Sequence, residues 1–202
     1  MSAATETART GRPGRPSTGA RERILAAAIE VLKADGYAGL SVAKVAASAG
    51  ESKALIAYHF GSKQGLVAAA GRAVAEEITA RLLTAIESAT RVEQVIRGAL
   101  EEVERIADDD PSLARIYFDL AAVSVVDAEV RKTIREINEQ WRSVISSLLQ
   151  EASDGPAPAR ARTITALLIA SAQGLALERI DRGPIDELTD AREMLVASIV
   201  ES

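Results

Sequence analysis

The stretch AGESKALIAYHFGSKQGL, Ala49 to Leu66, decides how this chain is read. It opens on a tight turn, Ala49-Gly50-Glu51, and then sets Ser52, a strong helix N-cap, before a short apolar run. Gly61 ends that run, and Ser62 is placed to cap another helix starting at Lys63. The segment also holds the only histidine, His59, between Tyr58 and Phe60, in a chain with 3% aromatic residues. Three readings are open for His59: a metal or catalytic ligand, a core residue, or a phosphate contact between Lys53 and Lys63.

Upstream, Leu40-Ser41-Val42-Ala43-Lys44-Val45 carries a second N-cap, Ser41, with Leu40 and Val45 spaced as a hydrophobic staple. Gly50 ends this short helix. Ile24, Leu25, Ala28, Ile29 and Leu32 share one face of an earlier helix that starts near Thr18 and stops at Gly36. Three short helices cannot build a deep core alone, so they must lean on the rest of the chain. From Lys63 onward the pattern is helical throughout. Leu66, Ala70, Val74, Ile78, Leu82 and Ile86 form a ladder, and a second stripe runs from Val92 to Ile106 until Asp108-Asp109-Asp110-Pro111 breaks it. A shorter helix carries Leu113, Ile116, Tyr117 and Leu120, and a long one runs from Val130 to Leu148. Beyond the loop at Ser153–Pro158, helices are expected over about 159–181 and 184–200. No alternating β pattern occurs. The expectation is an all-α fold of about nine helices.

The chain has 202 residues, 48% hydrophobic, enough for a sizeable core. It has no cysteine, which removes disulfides and thiolate chemistry and fits a reducing compartment. Residues 1–18 are rich in Ser, Thr, Ala, Gly and Pro and are expected to form a disordered basic arm. Residues 1–63 hold nine Lys and Arg against five Asp and Glu, a net of +4; the remainder carries fifteen against twenty-four, a net of −9. A basic head on an acidic body points to a polyanion met by the head alone. The longest apolar run, Thr163–Leu177, has only 15 residues, short of the ~20 that span a bilayer. No apolar leader stands behind the N-terminal arginines. The expectation is a cytoplasmic protein with no membrane contact.

A capped helix, a tight turn and a second capped helix match the helix-turn-helix plan, whose second helix enters the major groove. Ser41-Val42-Ala43-Lys44-Val45-Ala46, then Ala49-Gly50-Glu51-Ser52-Lys53, then Tyr58-His59-Phe60-Gly61-Ser62-Lys63 resemble the DNA-binding domain of the TetR family of bacterial transcriptional regulators. The resemblance spans roughly residues 20–66. It implies a helix-turn-helix domain over 19–65 and an effector-binding and dimerisation domain over 66–202. The first turn of the second helix presents Ser52, Lys53, Ala54 and Leu55 toward DNA; by the resemblance, Ser41 and Lys63 grip phosphates and Lys53, Ala54 and Leu55 lie at base edges. Tyr58 and His59 are implied against the backbone, with Phe60 buried. The chain departs from the family at Ala57, commonly a tyrosine, and at Glu51, usually a small aliphatic residue. Separately, Thr10 to Pro16 is similar to the Gly-Arg-Pro core of AT-hooks, which would lay Arg12 and Arg15 in a minor groove.

The acidic body shows no catalytic or phosphate-binding motif, and no cofactor or metal site is expected. Tyr117, Phe118 and Trp141 fit a pocket wall as well as ordinary core. The resemblance favours a small-molecule effector site, for which Leu100, Val103, Tyr117, Phe118, Trp141 and Ser171 are the expected lining. It also implies a homodimer through the last two helices, by Ile164, Leu167, Leu168, Leu175, Leu188, Leu195 and Ile199, on a palindromic operator of double-stranded DNA. The function so read is an effector-released repressor with a small apolar or amphipathic ligand. The rivals are an architectural DNA-binding protein without effector and a helical-bundle enzyme.

Overall fold

Serine hydroxyls start three consecutive helices, α2 (Val42–Ala49), α3 (Lys53–Phe60) and α4 (Lys63–Ala85). Ser41 Oγ accepts from the Lys44 N–H at 3.2 Å, Ser52 Oγ from Leu55 at 3.1 Å, and Ser62 Oγ from Gly65 at 2.9 Å. Each satisfies an N–H that a helix start would otherwise leave unbonded. The computed structural model describes residues 19–201. The expected arm, with Arg12 and Arg15, lies outside them. Among the described residues there are nine helices and no strand. Before the three stands α1 (Ala20–Gly39); after them come α5 (Val92–Asp109), α6 (Pro111–Val123), α7 (Ala128–Glu151), α8 (Pro158–Arg182) and α9 (Asp186–Glu201).

α1 does not run straight to Gly39. At Gly36 the backbone turns to φ 64°, ψ −174°, outside the helical region, so the break expected there is a kink. Asp119 on α6 holds that kink: its Oδ2 accepts the Tyr37 N–H at 2.5 Å. A Cβ on residue 36 would sit 3.0 Å from the same oxygen, so both the backbone angle and the space call for glycine.

The helices close around two cores. The first gathers Ile24 of α1, Val45 of α2 and Ile56 of α3 with Leu66 and Val67 of α4, and continues into Leu113, Leu120 and Ile137 of α6 and α7. The small helices thus fold onto α4 and α6. The expected division after residue 65 falls within the first turn of α4. The second core joins α5, α7, α8 and α9 through Ile96, Leu100, Leu149, Leu168 and Val196.

Several side chains sit elsewhere than expected. Phe60 is half-buried, under the Arg21 guanidinium at 5.4 Å from its ring centre. Ile164, Leu168, Leu188 and Ile199, expected at a partner interface, are buried within this chain because α5 and α7 cover that side of α8 and α9. Leu175 and Leu195 are half-buried against the second core. The outward apolar side chains are Leu167, Leu177, Met194 and Val200. The 15-residue apolar run also understates α8. The helix runs on at both ends through Arg160, Arg162, Glu178 and Arg179 to reach 25 residues, and it is long and apolar enough to cross a membrane by length and composition alone.

Gly36→Ala should destabilise the fold by about 1–3 kcal/mol, since a side chain there must adopt a backbone region nearly restricted to glycine. A urea midpoint shifted down at unchanged slope is the expected result.

Candidate DNA-binding surface and central cavity

α3 presents Lys53, Ala54, Ala57 and Tyr58 to solvent, with Tyr58 72% exposed. Its opposite side buries Ile56 at 1% exposure. Leu55, expected at a base edge, is half-buried against the first core because it flanks Ile56 on the inward side. Ser41 and Ser52 are exposed at the two helix starts, their hydroxyls engaged as caps. His59 stacks edge-on between Tyr58, at 5.1 Å, and Phe60, at 6.3 Å. Its Nε2 is buried without a hydrogen-bond partner among the described residues, so that nitrogen does not face outward to a phosphate.

Lys63 heads α4 and is half-buried. Its Nζ lies 4.6 Å above the Tyr37 ring centre and 3.5 Å from the Tyr37 carbonyl oxygen, to which it donates. The Tyr37 phenol is pushed above its ordinary pKa, first by burial and then by the charges of Asp127 and Asp119.

Glu51 corrects a sequence-based concern. Its carboxylate is 14% exposed and accepts from Arg23 of α1 through Nη2 at 2.5 Å and Nε at 3.2 Å. The negative charge is matched within the domain rather than turned on DNA. Lys44 of α2 pairs likewise with Asp35 of α1 at 2.5 Å. Two ion pairs therefore clamp α2 and the turn after it to α1, partners that local spacing gives no means to see.

A partly open cavity of about 90 Å³ lies in the body between α4, α5, α6, α7 and α8. Val103, Tyr117, Phe118 and Trp141, assigned by the sequence to an effector site, line it, and so does Leu168, assigned to the dimer face. Leu100 and Ser171 do not. Leu100 points into the second core at 1% exposure, and on α8 it is the next two residues, Ala172 and Gln173, that reach the cavity. Gln173, a lone amide in an apolar helix, was the missed signal. At its end of the cavity, Tyr117 Oη donates to Asn138 Oδ1 at 2.9 Å and accepts from Gln173 Nε2 at 2.7 Å. Burial pushes the Tyr117 phenol above its ordinary pKa, so it stays a neutral hydroxyl. Trp141 Nε1 donates to Thr79 Oγ1 at 2.9 Å. Among the described residues, no three His, Cys, Asp or Glu side chains converge on a metal-sized site.

The family model for bacterial regulatory proteins of the tetR family matches residues 24–70, and that for the C-terminal domain of BetI-type transcriptional repressors matches residues 88–200. The chain belongs to the TetR family. It is a DNA-binding transcriptional regulator, not an enzyme. This TetR-family chain is 30% identical over 182 residues to the HTH-type transcriptional regulator CymR of Pseudomonas putida, covering 85% of this chain and 88% of that one. A transcriptional regulator from Rhodococcus sp. Rha1 superposes with a TM-score of 0.74 at 25% identity, covering 90% of this chain and 96% of that one. The multidrug binding protein EbrR, solved with imidazole, gives a TM-score of 0.68 at 27% identity over 88% and 93%. FadR of Bacillus subtilis, solved with stearoyl-CoA, shares the fold at 18% identity and a TM-score of 0.68, over 89% and 97%.

Tyr117→Phe should cost about 1–2 kcal/mol, because it strips the bridging hydroxyl from Asn138 and Gln173 inside the body. The urea midpoint reads the loss, and a midpoint equal to wild type would show that the bridge carries no net stability.

Proposed function

We propose that this regulator is a homodimeric, cytoplasmic repressor that holds a palindromic operator and lets it go when a small apolar or amphipathic effector fills the central cavity. The observation that carries the reading is the position of α6. Its Tyr117 and Phe118 form the cavity wall, and the next residue, Asp119, grips the Tyr37 backbone of α1. Tyr37 in turn seats Lys63. One rigid helix thus touches both the cavity and the head, and a shift of α6 on filling would carry α1 and the start of α4 with it.

In this reading Ser41, Ser52, Tyr58 and Lys63 position the protein on phosphates, and Lys53 and Ala54 meet base edges. Leu55 and His59 act from behind that face, supporting it. Residues 19–65 serve as the DNA-binding unit and 66–202 as the effector and dimer unit. The dimer face is the outward side of α8 and α9, where Leu167, Leu177 and Met194 stand exposed among small residues. An isologous pairing there would cover this apolar surface and space two recognition helices for a two-fold operator. Arg12 and Arg15 would add minor-groove contacts.

Binding to the DNA upstream of the protein's own gene, against scrambled competitor at near-physiological salt, tests the function. Tight, competitor-resistant binding is expected; binding displaced equally by any DNA would favour the architectural rival. Lys63→Ala should weaken binding to every sequence and lower the salt slope by about 1. Lys53→Ala should change sequence preference at about 1–3 kcal/mol. Identical behaviour of the two would refute the division of roles. Asp119→Ala, a residue off the DNA face, should shift operator affinity by roughly 0.5–2 kcal/mol. No shift would remove α6 from the coupling route.

A further inference from the structure

α3 divides cleanly around its axis. At about 100° per residue, Lys53, Ala57, Ala54 and Tyr58 follow one another across an outward arc of roughly 140°, and all four are exposed. The rest of the circumference faces inward, with Ile56 at 1% exposure and Leu55, His59 and Phe60 half-buried. The two alanines therefore occupy the middle of the outward face, and the two long polar side chains its edges.

Ser52, just ahead of the helix, has turned its hydroxyl to the Leu55 N–H at 3.1 Å. In the turn before it the Glu51 carboxylate is held by Arg23, and Lys44 of α2 is held by Asp35. Lys53 is the one lysine or arginine that α3 itself carries.

Each base has its own code in the major groove. Adenine is read by a side-chain amide, cytosine by a carboxylate, guanine by a lysine or arginine, and thymine by apolar contact with its C5 methyl. The outward face of α3 has no amide, no carboxylate and no guanidinium. It offers one ammonium at an edge and two methyls at the centre. Ala54 and Ala57, three residues apart, set their β-carbons about 5–6 Å from each other, a spacing suited to thymine methyls on neighbouring base pairs. The departure from the family's common tyrosine at 57 is what places the second methyl there.

Resting on the reading of α3 as the recognition helix, we propose that this regulator reads its operator mainly through thymine C5 methyls. Ala54 and Ala57 each take one, on neighbouring base pairs, and Lys53 takes a guanine beside them. Each half-site is read at its centre by van der Waals contact and at its edge by one hydrogen-bonding side chain.

The operator is drawn from a random pool of duplexes by selection with the full-length protein. Thymines of the consensus are then replaced one at a time by deoxyuridine, which deletes the C5 methyl and keeps every hydrogen-bonding group. With wild type, two neighbouring exchanges in a half-site should each weaken binding about fourfold, the worth of one buried methyl. Ala57→Gly should abolish the penalty at one of these thymines and leave the other, and Ala54→Gly should do the reverse. The ratio of affinities for thymine and uracil duplexes is taken within each protein, so a general loss of helix stability cancels. Ala57→Ser and Ala54→Ser, milder for the helix, should lower the same penalties and stand in where a glycine variant does not fold. Replacing the adjoining guanine by 7-deazaguanine should weaken wild type roughly tenfold and Lys53→Ala little.

A pool that converges on no sequence would overturn the recognition reading and this proposal with it. A clear consensus in which no uracil exchange costs affinity would leave that reading in place and overturn the methyl readout. Penalties undiminished in the variants of Ala54 and Ala57 would overturn the assignment to these two alanines. A consensus with no guanine beside the thymines, or an equal 7-deazaguanine loss in Lys53→Ala, would overturn the role of Lys53.

Discussion

The hydrogen bond from the Tyr37 N–H to Asp119 is the contact on which the organisation of the molecule turns. α2 and α3 are eight residues each, too short to be stable by themselves, and fully bury only Val45 and Ala46 in α2 and Ile56 in α3. They acquire a core by folding onto α1, α4 and α6 together. α1 reaches α6 at the kink, where glycine geometry turns the backbone N–H toward the Asp119 carboxylate. Without that kink α1 would run past α6 and the Tyr37 platform for Lys63 would be misplaced. The same short segment thus closes the small domain and joins it to the large one.

Much of this was legible in the residues. Ser41, Ser52 and Ser62 announced three helix starts, because capping is a local interaction between a hydroxyl and an N–H three residues on. The helical stripes through Leu66, Val74 and Ile78 were legible for the same reason: periodicity needs no knowledge of the partner. The aromatic wall of the cavity was readable from composition, since Tyr117, Phe118 and Trp141 are conspicuous in so aliphatic a chain.

Features that depend on distant partners were not legible. Leu100 and Val103 look alike in sequence, and only the course of α8 and α9 decides that Leu100 enters a core and Val103 a cavity. Ile164, Leu168, Leu188 and Ile199 share the character of Leu167 and Met194, yet α5 and α7 cover the first set and leave the second outside. A stripe announces that a helix has an apolar face but not which neighbour takes it. Glu51 is the opposite case, a charge whose cost vanishes once Arg23, 28 residues away, is seen beside it.

That pairing bears on how the head behaves as a polyelectrolyte. Between residues 19 and 63 there are six cationic side chains, and Arg23, Lys33 and Lys44 already have carboxylate partners. A cation already neutralised within the fold cancels less phosphate charge and so releases fewer of the counterions condensed on DNA. On the proposed DNA-binding reading, the entropic drive of association would then rest mainly on Arg21, Lys53 and Lys63. The formal charge of the head overstates its electrostatic reach, and shape and hydrogen bonding carry the difference.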